Sequence, residues 1–155
     1  MSDIMKEQNK IFAPLIDHEN SIIAKYRELS EQAAQSNIIY FLKLFIKGHQ
    51  EIVRILNAYV KKGGKVPFTS HDIPQPIEAT QHLLDDEHID VNSLQSVLLH
   101  IAKEEEMSVG EFSVLMEEVK DHEAHEFLEK IRDEKVTMTT QADRLYHDMI
   151  ESKIS

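Results

Sequence analysis

Two glutamates in this chain stand at matched distances from aromatic residues. Glu19 lies seven residues before Tyr26, and Glu105 lies seven before Phe112. At about 100° per residue, Glu105 falls about 40° from Ile101 and about 20° from Phe112, inside an apolar helical stripe. Glu19 falls about 60° from Ile22, at the edge of its own stripe. A carboxylate turned toward a core must be protonated, paired or metal-bound, because an isolated buried charge is too costly. Taken singly, each reads more simply as a boundary glutamate reaching solvent or a lysine. His49 is placed about 40° from Phe45 and about 20° from Ile52, near the centre of an apolar face. It is expected to be a neutral core histidine, hydrogen-bonded to a carboxylate or hydroxyl.

The pairing of the two acids belongs to a longer self-similarity. A shift of 86 residues, without a gap, sets Glu19 on Glu105, Tyr26 on Phe112, Leu29 on Leu115 and Phe41 on Phe127. The same shift sets His49 on Lys135 and Ile52 on Met138. Two similar helix pairs of equal length follow.

The elements that carry these residues are helical. Apolar residues recur at helical spacing in four stretches, roughly Pro14–Ala34, Asn37–Lys62, Asp90 onward through Val119, and His122–Ser152. Pro14 suits a first helical position, and Asp90 suits an N-cap. Gly63-Gly64 suits a helix end. The first and second helices, and the third and fourth, are joined by only a few residues, which makes each pair an antiparallel hairpin. The link over 63–89 is long, holds Pro67, Pro74 and Pro76, and is expected to carry a short helix near Ile77–Leu84. Residues 1–13 read as an N-terminal extension of a single domain spanning 1–155, either a helical continuation of the first helix or a loose arm. The fold class is therefore all-α: an antiparallel four-helix bundle of two hairpins joined by a long crossover.

Composition narrows the chemistry. The 155 residues carry 28 acidic and 17 basic side chains, a net charge of −11, so nucleic acid is not an expected partner. The absence of cysteine excludes disulfides, thiolate catalysis and cysteine-bound metal. No stretch is apolar for long enough to span a membrane, and the first residues lack the pattern of a signal peptide. A cytoplasmic protein is expected. The pair His100-x-x-x-Glu104 has hemerythrin-like spacing, but the rest of that pattern does not follow in order, and Val53 occupies the acid position after His49.

The twice-used motif, Glu19…Tyr26 and Glu105…Phe112, resembles the rubrerythrin-type branch of the ferritin-like superfamily over roughly residues 15 to 150. In that pattern each of the other two helices carries Glu-x-x-His, which sets both ligands on one face. The resemblance implies a site for two iron or manganese ions, iron binding or oxidation linked to oxidative stress, and a homodimer. The chain departs from the pattern at that second part. On the fourth helix Glu134 keeps the acid, but Thr137 replaces histidine. On the second helix the ungapped repeat gives Gly48 and Glu51, whereas a register shifted by two gives Ile46 and His49. Two readings stay open. One is a modified carboxylate metal site of Glu19, Glu105 and Glu134 completed by Glu51 or His49. The other is a metal-free bundle, a binding or assembly module in which Lys135 neutralises the buried acids. Neither reading fixes whether the protein is an enzyme.

Overall fold

The computed structural model describes residues 3–33, 36–64 and 91–154, and these form four helices: α1 (Asp3–Gln32), α2 (Ser36–Lys62), α3 (Val91–Met116) and α4 (His122–Ile154). No strand occurs among the described residues. Helices α1 and α2 pack as one hairpin and α3 and α4 as the other, with α1 also against α3 and α2 against α4. The expected four-helix bundle of two hairpins is the observed one.

Helix direction follows from which residues meet. His18 reaches Glu111 while Lys25 reaches Glu104, so α1 and α3 run antiparallel. Tyr59 stacks on Phe127 while Gly48 abuts Met138, so α2 and α4 are antiparallel as well. Each hairpin is itself antiparallel, so α2 and α3 must point the same way. The end of α2 and the start of α3 therefore lie at opposite ends of the bundle, which is the condition that demands a long connection. That connection, the short helix expected near Ile77–Leu84 and the N-cap expected at Asp90 lie outside the described residues.

The helix ends have local causes. The backbone N–H of Gly63, at φ 72°, donates to the carbonyls of Tyr59 and Val60, and that of Gly64 donates to Tyr59, closing α2 in a Schellman motif. Asp121 caps α4, its carboxylate accepting from the backbone N–H of Ala124 at 3.0 Å. Two expectations are corrected. Helix α1 begins at Asp3, so Pro14 lies inside it rather than at its first position. The ring sits on the exposed side, where water can serve the carbonyl that loses its partner. Helix α3 ends at Met116, so Val119 belongs to the turn, yet it stays buried.

The core is one cluster drawn from all four helices, including Phe12, Leu15, Ile22 and Tyr26 of α1 and Phe41, Phe45, Ile52 and Leu56 of α2. Helices α3 and α4 contribute Leu98, Ile101 and Phe112, and Leu128, Ile131 and Met138. Burying each such side chain contributes roughly 1.5–3 kcal/mol. Stacked rings of Phe12, Tyr59 and Phe127, with centroids 4.9 and 4.4 Å apart, tie α1, α2 and α4 together toward one end. No helix among the described residues is long and apolar enough to cross a membrane.

Candidate functional site

The apolar stripes of all four helices are interrupted by buried polar side chains: Glu19, His49, Glu105, Ser108 and Lys135. One or two come from each helix, and they form a continuous network across the bundle. His49 lies at its middle. Its Nδ1 bonds to Glu19 Oε2, and its Nε2 meets Glu105 Oε1 and Oε2 at 3.0 and 2.8 Å. Lys135 Nζ donates to Glu19 Oε1 and, at 2.6 Å, to Ser108 Oγ. His18 Nε2 lies 3.2 Å from the same hydroxyl, and its Nδ1 reaches the exposed Glu111 carboxylate at 2.9 Å.

Two carboxylates face two cations in this cluster, and hydrogen-bond directions are consistent throughout. Both ring nitrogens of His49 point at carboxylates, so both are served best as N–H donors. Burial alone would lower its pKa, but Glu105 and Glu19 outweigh burial and raise it to about 9. The neutral imidazole expected from the sequence is thus corrected: His49 is an imidazolium at neutral pH. Burial likewise works to raise the Glu19 carboxyl, and Lys135 and His49 overcome it, leaving its pKa at about 2. At the mouth of the cluster burial lowers the His18 pKa. His18 is therefore neutral, its Nδ1–H donating to Glu111 and its Nε2 accepting from Ser108.

The internal repeat explains the arrangement. Under the 86-residue shift, His49 and Lys135 are counterparts, as are Glu19 and Glu105. Each hairpin's cation bonds the other hairpin's acid: His49 takes Glu105, and Lys135 takes Glu19. The aromatic counterparts instead meet the cation of their own hairpin. Tyr26 lies beside His49 with ring centroids 6.0 Å apart, and Lys135 Nζ stands 5.3 Å from the Phe112 centroid, a cation–π distance.

Of the five candidate ligands, the structure brings together Glu19, His49 and Glu105. Glu51 is partly exposed and pairs with Arg54 one turn on, at 3.0 Å from Nε. Glu134, next to Lys135, is half-buried and is not one of the buried polar residues. Thr137 is exposed and bonds back to the Asp133 carbonyl. At Gly48 an added Cβ would stand 2.7 Å from Met138 Cε, so the flexible end of that methionine occupies the space beside the glycine. Among the described residues, no group of three or more histidines and acids is arranged to hold a metal ion.

Two members were not singled out from sequence. Ser108 left a trace, a lone small polar residue in the stripe of Ile101, Glu105 and Phe112. His18 left none, being a half-exposed residue defined by contacts from α3. Two buried side-chain atoms have no hydrogen-bond partner among the described residues, Gln141 Oε1 and the Tyr26 hydroxyl, and burial with the nearby Glu105 drives the tyrosine's pKa upward. Tyr26→Phe should therefore leave stability unchanged or raise it by up to about 1 kcal/mol in urea unfolding, since it deletes an unpaired polar atom. A loss above about 1 kcal/mol would show that the hydroxyl is bonded.

Comparison of the chain with family models, with curated proteins and with solved structures finds no match.

Proposed function

We propose that this chain is a metal-free four-helix bundle whose centre is closed by salt bridges and whose work is done at its surface, as a binding or assembly module. The observation that carries this reading is Lys135. Its ammonium sits on Glu19 at the level where the acids converge, in contact with the carboxylate a bound cation would need. His49 is engaged through both nitrogens, so it has no lone pair to offer a metal while protonated. Two buried acids are thus matched by two buried cations, and adding a divalent ion would require expelling at least one of them. These residues do not fit a resident iron or manganese pair. The net charge of −11 further argues for protein partners rather than nucleic acid in a protein read as cytoplasmic.

The second reading, a modified carboxylate site holding iron or manganese, draws support from the meeting of Glu19, His49 and Glu105 at one level of the core. Metal analysis separates the two. Protein purified without chelator, and again after ferrous iron is added under argon, is expected to carry less than about 0.1 equivalent of metal per chain. One or two equivalents, lost in Glu105→Ala or Glu134→Ala, would overturn the metal-free reading.

A further inference from the structure

Helix α3 is apolar on two opposite sides. Its inner side carries Leu94, Leu98, Ile101, Phe112 and Met116. On the outer side Met107 and Val114 are 58% and 68% exposed, the most exposed of the large apolar side chains described. They belong to a regular row of Lys103, Met107, Gly110 and Val114 on α3, continued by Glu117 in the turn just after it, all exposed and spaced four, three, four and three residues apart. At about 100° per residue this row occupies an arc of roughly 80°, diametrically opposite the buried stripe. Alternating four and three is the spacing of a seam between two helices. At its middle is Gly110, where an added Cβ would meet nothing within 4 Å. Beside Gly110 a shallow cavity of about 400 Å³ is lined by Gly110, Glu111, Val114 and Leu115.

The order of residues along the row makes it self-complementary. Laid antiparallel on a copy of itself about a two-fold axis at Gly110, the row sets Lys103 against the partner's Glu117, and Glu117 against the partner's Lys103. Met107 then lies against the partner's Val114, and the two glycines let the backbones approach. Glu117 is within 3.8 Å of His125 but remains 68% exposed, so its carboxylate is available at the surface. We propose that this outer face of α3 is the contact through which two copies of the chain pair, antiparallel and centred on Gly110. This rests on the assembly reading given above and names its surface and its partner. The row from Lys103 to Glu117 is about 21 Å long, so a strip one helix wide, about 10 Å, covers roughly 200 Å², well short of the roughly 800 Å² per partner of a stable complex. The pairing is therefore weak, with a dissociation constant above about 1 µM.

The chain has no cysteine, so one can be introduced as a clean probe. G110C places the thiol on the two-fold axis, at an open site where folding is undisturbed. It should form a disulfide-linked dimer at least about tenfold faster than an exposed control, K61C. In sedimentation runs from about 5 to about 500 µM, K103E should weaken the wild-type dimer more than about tenfold, and K103E/E117K should restore it. G110C cross-linking no faster than K61C, or a double variant no better than K103E, would overturn the proposal. Dimers that persist in M107E/V114E would overturn this surface while leaving assembly standing. Wild-type protein monomeric throughout would overturn both self-pairing and assembly by self-association. Metal analysis of the same samples reports on the core independently.

Discussion

Lys135→Met should cost roughly 3–5 kcal/mol in urea unfolding, the largest effect expected of any single substitution in the buried cluster. Methionine keeps most of the volume, so the loss does not come from a cavity. It comes from Glu19, fully buried, which loses the cation bonded to Oε1 and must share His49 with Glu105. The remaining cluster has two carboxylates and one cation, in surroundings that solvate charge poorly. For a chain of this size the loss corresponds to a fall of roughly 10 °C in Tm. Glu19→Gln in the same background should recover at least about 2 kcal/mol, because His49 and Glu105 then balance each other and the amide oxygen still accepts from His49 Nδ1. Additive losses in the double variant would show that Lys135 and Glu19 are not energetically coupled.

Stability should be greatest near pH 6.5 and should fall on both sides of it. Above that value His49 is responsible. In the unfolded chain it loses its proton near 6.5, whereas in the folded protein it holds the proton to about 9. The folded state binds more protons throughout that window, so stability falls as pH rises, by on the order of 3 kcal/mol, and the contribution is gone above about pH 9. Below 6.5 the sign reverses. The His18 pKa is lowered in the fold, so the unfolded chain takes up a proton first and stability falls with falling pH. Glu19 adds to this below its unfolded value of 4.5, and its contribution is lost as pH falls toward about 2. Unfolding followed from pH 5 to pH 10 should therefore show an alkaline loss that His49→Gln abolishes. An alkaline slope unchanged in that variant would assign the loss to another group.

Much of this architecture was legible in periodicity and punctuation. The end of α2 and the start of α4 follow from Gly63-Gly64 and from the residues around His122, because caps and glycines act locally. The 86-residue shift identified Glu19 with Glu105 and His49 with Lys135, and the structure makes these pairs the framework of the cluster. Lys135 as a substitute for metal charge is one of the two readings, and its contact with Glu19 is what supports it. What stayed hidden depends on residues distant in the chain. The charge of His49 is set by two acids, 30 and 56 positions away on α1 and α3, so no local pattern could reveal it. Glu19 seemed a boundary residue because its angle was measured within α1 alone, yet α2 and α4 close over it. Pro14 misled for a different reason: on an exposed helix face its missing N–H is tolerated, so it does not mark a beginning.

Nitrogen NMR of the histidine ring across pH shows whether His49 is a buried cation held between Glu19 and Glu105. Both ring nitrogens of His49 should carry protons at pH 8, with slow solvent exchange, and the ring should titrate near 9. A ring with one unprotonated nitrogen at pH 7, titrating at or below the ordinary value of 6.5, would contradict the claim.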